Sequence, residues 1–259
     1  MLKTQDANYY LNLAQRTHNK TQARIYCLRA RKELPAEGSI NLEFARFLSA
    51  QKDFKKAELR YRKTSTMMPL STVVYNEWGL LLHDQGKVEG QEELYRKMIE
   101  IEPDSPDGLC NLGGILSDKC KFEEAIVVLE KALEGLPDDT MTLNNLGSVF
   151  VNLGRYYKAL EKLEKVLEID GDHLLAHINM GLVNSCLGKD DEAKENFQRV
   201  VDLIGDESDL KEAILRSCQR LLNFAKENAL GEGADQKKRR RHNEKFRKAL
   251  GELMPLLEK

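Results

Sequence analysis

Few residues in this sequence have the types and spacing that catalysis or metal binding requires. His173 and His177 are four residues apart, as two metal ligands on one helix can be, and Asp172 lies next to them. No HExxH arrangement accompanies them, and the sequence contains neither GxxxxGK[ST] nor GxGxxG. The sequence therefore predicts no catalytic residues, no metal and no cofactor, and it favours ordinary helix-end and packing roles for the two histidines.

The cysteines and the absence of targeting patterns indicate a reducing compartment. The five cysteines are an odd number and form no CxxC pair, which favours free thiols over a disulfide framework. No histidine or basic pair adjoins Cys110 or Cys186 to activate a thiol, so packing roles are favoured for both. No signal-peptide pattern and no apolar run of about eighteen residues occur. We expect a cytoplasmic protein, or a nuclear one if the source is eukaryotic.

A constant interval of 34 residues organises most of the chain. Proline stops a helix because it lacks a backbone donor, and glycine permits the left-handed residue that follows a helix end. Residues of these two types recur at this interval and predict where successive helices end. They are Pro35, Pro69, Pro103, Pro137, Gly171 and Gly205.

Each 34-residue unit has the pattern of two amphipathic helices. In residues 106–139, apolar and small residues recur at spacings of three and four on both sides of a break at 119–121, which predicts a helix pair with a tight turn. The pair Leu112-Gly113 recurs as Leu146-Gly147, and the small residue predicts a close approach of two helices. Because one pair cannot bury its apolar face alone, neighbouring units must stack.

A helix–turn–helix unit of this length and pattern resembles the tetratricopeptide repeat. The resemblance implies an all-α fold, a right-handed superhelical α-solenoid of six repeats. Residues 208–230 predict a C-terminal capping helix that covers the last repeat, and residues 231–259 predict a basic linker with an amphipathic tail helix. The predicted repeats are 4–37, 38–71, 72–105, 106–139, 140–173 and 174–207.

The resemblance also implies a concave groove lined by the first helix of each repeat. When each repeat is counted from its first residue, position 6 is asparagine in three successive repeats, at Asn111, Asn145 and Asn179. An amide offers a donor and an acceptor together, so this row matches the family's habit of holding peptide backbones. The alternative is that asparagine suits this position because it bonds a neighbouring helix. The predicted peptide-binding residues are Asn76, Asn111, Asn144, Asn145, Asn179, Arg46 and Asp107.

The family's chaperone-tail clamp is not expected, because its lysines and arginine are missing. The corresponding positions hold Asn76 and Leu80, then Asn111, then Met141 and Asn145. The resemblance therefore predicts a non-catalytic scaffold or adaptor that binds an extended peptide or a partner helix, without naming the ligand.

Charge is distributed unevenly along the chain, and this leaves two alternatives open. The net charge is +8 over residues 1–71, −14 over residues 72–231 and +4 over residues 232–259. The basic run Lys237, Lys238, Arg239, Arg240 and Arg241 is a candidate for docking to nucleic acid or to another anionic surface. One alternative is therefore a nucleic-acid- or membrane-associated adaptor. The other is self-association, in which basic ends contact acidic bodies of neighbouring copies.

Overall fold

A computed structural model describes residues 9, 10, 12–14, 16, 20–33, 37–205, 207, 208, 210–212, 214, 215 and 236–257. These residues form helices and turns, and no strand occurs among them. The helices are α1 (Lys20–Glu33), α2 (Gly38–Ala50), α3 (Phe54–Met67), α4 (Thr72–Asp84), α5 (Val88–Ile101), α6 (Pro106–Asp118), α7 (Phe122–Gly135), α8 (Thr140–Asn152), α9 (Tyr156–Ile169), α10 (Leu174–Leu187), α11 (Asp190–Ile204) and α12 (Gln236–Leu257).

The chain divides into an amino-terminal unit, Met1–Lys119, and a carboxyl-terminal unit, Cys120–Lys259. In the first unit, α2 packs on α3 and α4 packs on α5, and α6 continues the series against α5. In the second unit, α8 packs on α9 and α10 packs on α11 in the same way. This packing of consecutive helix pairs confirms the predicted all-α solenoid fold.

In the described part of the chain, the turn inside a helix pair contains one residue in the left-handed conformation. Gly86, Gly154 and Gly188 have φ values of 68°, 67° and 81°, and they are separated by multiples of 34 residues. Lys52 and Cys120 occupy the same repeat position and adopt the same conformation, with φ of 57° and 58°. This conformation ends the first helix and turns the chain back, so the geometry tolerates a side chain where glycine is the favoured residue.

The predicted close approach of the two helices in a pair is present. A Cβ atom on Gly79 would lie 2.7 Å from the ring of Tyr95, and one on Gly147 would lie 2.9 Å from Leu163. Gly181 meets the ring of Phe197 more closely still. In these three repeats the glycine of the first helix therefore receives the large side chain of the second helix, and this contact lies at the centre of the pair.

The C-terminal part of the chain contains a long helix in the region where an amphipathic tail helix was expected. Helix α12 begins at Gln236 and includes the basic run at 237–241. This helix packs against α10 and α11, and its residues Ala249, Leu250, Leu253 and Leu257 are buried. It thus covers the last repeat, the role that was expected of residues 208–230. Most of that predicted capping helix lies outside the described residues.

Candidate binding faces

In the amino-terminal unit, an amide pair connects the first helices of two successive repeats. Nδ2 of Asn111 on α6 donates a hydrogen bond to Oδ1 of Asn76 on α4 over 3.0 Å. Both side chains are half-buried. An amide group has two N–H donors and two acceptor lone pairs, so a single bond leaves capacity for a ligand. The bond fixes the orientation of both amides.

Arg46 is held by carboxylates of its own repeat and of the next one. Its Nε lies 2.9 Å from both carboxylate oxygens of Glu77, and its guanidinium also bonds Glu43. Hydrogen bonds to Glu77 raise the pKa of Arg46 above its usual value. Tyr61 donates to Glu77 over 3.3 Å, and burial raises the pKa of its hydroxyl. The positive charge predicted to meet a ligand is therefore already shared between Glu43 and Glu77, which also occupy position 6.

The carboxyl-terminal unit repeats the amide pair. Nδ2 of Asn179 on α10 donates to Oδ1 of Asn144 on α8 over 3.0 Å. Asn144 is buried and Asn179 is half-buried, as is Asn145 at position 6 of α8. In each unit, position 6 of one repeat thus bonds to position 5 of the preceding repeat. The interhelical bond that the sequence left as an alternative role is therefore formed by Asn111 and by Asn179.

Exposed apolar side chains lie on the same helix faces as these asparagines. Met141 precedes Asn145 by four residues on α8, and Leu175 precedes Asn179 by four residues on α10, so each pair shares one side of its helix. Met141 is 56% exposed and Leu175 is 52% exposed. We call this set, Met141, Asn144, Asn145, Leu175 and Asn179, the Met141–Asn179 face.

The amino-terminal unit has a corresponding face on α4. Val73 and Leu80 are exposed, and they lie three residues before and four residues after Asn76. The sequence prediction concentrated on polar residues and missed these apolar positions. The sequence signal for Val73 was that large apolar residues recur at position 2 of the repeat, at Val73, Met141 and Leu175.

The remaining predicted residues take ordinary positions or lie outside the described side chains. Asp107 is exposed in the first turn of α6. Nδ1 of His173 accepts a hydrogen bond from the backbone N–H of Ala176 and caps α10. His177 bonds the carbonyl oxygen of Gly171 and Oδ1 of Asn196. For the basic run at 237–241 the structure describes the helical backbone, so docking through those side chains stays a prediction.

Within the described part of the chain, no three His, Cys, Asp or Glu side chains are grouped as metal ligands would be. None of the described helices is both long enough and apolar enough to cross a lipid bilayer.

Comparison with protein families agrees with the 34-residue period. Models of the tetratricopeptide repeat match residues 106–134 and residues 138–204. The chain is a tetratricopeptide-repeat protein. The matched segments include α7 and both amide-bearing helices of the carboxyl-terminal unit. Comparison with curated proteins found no match.

Solved structures with a similar fold cover most of this tetratricopeptide-repeat chain. PilF of Pseudomonas aeruginosa has a TM-score of 0.65 and 17% identity, over 80% of this chain and 95% of that one. PilW, a type IV pilus biogenesis factor, has a TM-score of 0.61 and 16% identity, over 85% and 98% of the two chains. YrrB, a TPR protein with an unusual peptide-binding site, has a TM-score of 0.55 and 21% identity, over 70% and 93%. At these identities the likeness shows the fold alone.

The two amide pairs of this tetratricopeptide-repeat protein predict unequal effects of the same substitution. Asn179→Ala removes the donor to a buried acceptor, because Asn144 is only 4% exposed, and we expect a loss of about 1–3 kcal/mol in the free energy of unfolding. Asn111→Ala leaves Asn76 half-buried and within reach of water, and we expect a loss of about 0.5–1.5 kcal/mol. Urea denaturation followed by circular dichroism measures both losses. A larger loss for Asn111→Ala than for Asn179→Ala would contradict this ranking.

Proposed function

We propose that this protein is a non-catalytic protein-interaction scaffold that holds an extended peptide or a partner helix on the first-helix faces of its repeats. The Met141–Asn179 face carries the proposal, because it combines exposed apolar side chains with amides held in a fixed orientation. A site of this composition matches protein ligands, which offer both apolar side chains and backbone amide groups.

The amide pairs support a peptide ligand because they need no rearrangement before binding. Asn144 and Asn179 bond each other across two helices, so the remaining donor and acceptor of the half-buried Asn179 are presented at a defined place. Preorganised groups lose less conformational entropy when a ligand binds. Met141 and Leu175 then supply apolar contact area on each side of the amides. The description of YrrB as a TPR protein with a peptide-binding site is consistent with this proposal.

The faces of the two units differ in chemistry. In the amino-terminal unit, Arg46 lies between Glu43 and Glu77, so its charge is largely neutralised within the protein. The carboxyl-terminal face consists of amides and apolar groups. We therefore expect apolar and backbone contacts, more than charge, to dominate ligand affinity at the Met141–Asn179 face.

Substitution of the exposed apolar pair tests the proposal directly. The double variant Met141→Asp/Leu175→Asp should reduce capture of the protein's partners from its native source on the order of tenfold or more, because charges would replace the apolar contacts. Both side chains are about half exposed, so the repeats should stay folded. Affinity capture followed by quantitative mass spectrometry measures the change. An alanine replacement of the asparagines is a weaker test, since it also removes the bonds between helices.

The chain offers a matched control on its second helices. Val127 on α7 and Tyr157 on α9 are 66% and 78% exposed, and Val127→Asp/Tyr157→Asp makes the same change in charge. This control should retain every partner. Equal capture by the wild type and the Met141→Asp/Leu175→Asp variant would refute the proposed face, and loss in both variants would show that the loss is not specific to it.

A further inference from the structure

The last turn of α10 is buried, whereas the first helices α2, α4 and α6 each end in an exposed residue. Position 13 of the repeat is Ala50 on α2, Asp84 on α4 and Asp118 on α6, and each of these residues is exposed. The same position on α10 is Cys186, which is fully buried. Burial raises the pKa of its thiol. A neighbouring element must therefore cover the end of α10.

Helix α12 covers this end of α10 together with Tyr156 of α9, whose side chain hydrogen-bonds the Cys186 thiol. Lys245 donates through Nζ to the carbonyl oxygen of Cys186 over 2.7 Å, and Ser185 donates through Oγ to Glu252 over 3.2 Å. Lys248 lies 3.4 Å from Asp190, at the start of α11. These three contacts place α12 across the end of α10 and the beginning of α11.

The contact has the chemistry of an amphipathic helix bound to a groove. The docked side of α12 is a stripe at spacings of three and four, formed by Ala249, Leu250, Leu253 and Leu257, and each of these is at most 2% exposed. Such a stripe is how amphipathic helices bind helix-docking grooves. Lys245 adds a charge-assisted hydrogen bond, because its ammonium donates to a carbonyl in the last turn of α10. Carbonyls in the last turn of a helix lack intrahelical donors, and this end of the helix dipole is negative.

We propose that the end of α10 is a helix-docking site, that α12 occupies it as a displaceable internal ligand, and that it takes a partner's amphipathic helix of the same chemistry. That chemistry is a lysine placed four residues before an apolar stripe, as Lys245 precedes Ala249. Because α12 is tethered to the same chain, its effective concentration at the site is on the order of millimolar. Partner helices of moderate affinity are therefore excluded until α12 leaves.

This site differs from the Met141–Asn179 face, so the two can be tested separately. The variant Leu250→Asp/Leu253→Asp should release α12, because it introduces charges at two fully buried positions. A fluorescent peptide with the sequence of residues 236–257 should then bind the full-length variant on the order of tenfold or more tightly than it binds the wild type. Fluorescence anisotropy measures both affinities.

A charge-matched control separates release of α12 from a general effect of charge. Arg247 is exposed on α12, and Arg247→Asp changes the net charge by the same amount. This control should bind the peptide as weakly as the wild type does. Far-UV circular dichroism and thermal melting verify that the repeats of both variants remain folded.

Labelling of Cys186 by N-ethylmaleimide provides a second measurement at the site itself. Peptide-level mass spectrometry should show faster labelling of Cys186 in Leu250→Asp/Leu253→Asp than in the wild type, and the added 236–257 peptide should slow it again. If a folded variant binds the peptide no better than the wild type, or if the peptide fails to protect Cys186, the proposal is wrong. Lys245→Ala is the milder variant if the double variant unfolds, and it should also speed the labelling of Cys186.

Light scattering distinguishes the nature of the occupant. The proposal of a partner's helix as the ligand is supported by two results together. The wild-type chain stays monomeric over a range of concentrations, and the peptide binds Leu250→Asp/Leu253→Asp. Concentration-dependent dimers that Leu250→Asp/Leu253→Asp abolishes would assign the site to α12 of a second copy and overturn the proposal of a separate partner.

Discussion

Replacing Phe197 with alanine is expected to lower the free energy of unfolding of the carboxyl-terminal unit by about 3–5 kcal/mol. Phe197 is fully buried on α11 and fills the space above Gly181 of α10. The substitution removes its apolar surface from the core and leaves a cavity, because α10 is fixed by contacts with α8 and α9, and α11 is fixed by contacts with α12. Urea denaturation followed by circular dichroism measures the loss.

Tyr157→Ala serves as the control for this prediction. Tyr157 is also aromatic and lies on a second helix, but it is 78% exposed. Its replacement should change the free energy of unfolding by less than about 0.5 kcal/mol. A loss for Phe197→Ala as small as that of the control would mean that the core closes around the cavity at no cost.

Gly181→Ala is expected to destabilise the protein by about 1–3 kcal/mol, although alanine forms helices better than glycine by about 1 kcal/mol. The added methyl group would overlap the ring of Phe197. The sign should reverse in a Phe197→Ala background, because the ring is absent there and the gain in helix propensity remains. A double-mutant cycle with these two substitutions measures the coupling.

Gly251→Ala gives the helix-propensity effect without an overlap. Gly251 lies on the exposed side of α12, and a Cβ atom there would have no neighbour within 4 Å. This variant should be neutral or more stable by up to about 1 kcal/mol. If Gly181→Ala behaves like Gly251→Ala in the wild-type background, the ring of Phe197 moves aside without strain.

The sequence was sufficient to predict where the two helices of a repeat approach each other closely. Glycine and alanine at fixed positions of a 34-residue period specify where two helices can approach, and the contacts of Gly147 with Leu163 and of Gly181 with Phe197 have that form. These contacts join residues 16 positions apart in one repeat. These contacts are local in sequence, and the same arrangement recurs along the chain. The 34-residue period is therefore enough to predict where the helices approach.

Contacts between different elements could not be predicted in the same way. The apolar stripe of α12 identified the side of the helix that would be buried. It did not identify the helices that would bury it, because an amphipathic pattern does not specify which elements the helix packs against. Arg46 was predicted to face a ligand. The sequence alone does not show that the Glu77 carboxylate, which lies 31 residues away in the next repeat, bonds the Arg46 guanidinium.

The asparagine row shows both the strength and the limit of the prediction. Its period assigns Asn111 and Asn179 to the same repeat position, and in the structure each donates an equivalent hydrogen bond. The acceptors Asn76 and Asn144 were treated as additional ligand-binding groups, whereas in the structure each also accepts a bond from the next repeat. A bond between positions 5 and 6 of successive repeats joins residues 35 positions apart, so a search for exact 34-residue recurrence does not reveal it.

The amide pairs also determine which repeat can be copied to lengthen the array. Both bonds have the same direction, from a donor at position 6 to an acceptor at position 5 of the preceding repeat. Residues 140–173 contain both groups, Asn144 and Asn145, so a tandem duplication of this segment would recreate the bond at the new junction. Residues 72–105 have Glu77 at position 6, and a carboxylate cannot donate. Duplication of 72–105 would therefore join two repeats without the amide bond, and the segment 140–173 is the natural module for extension.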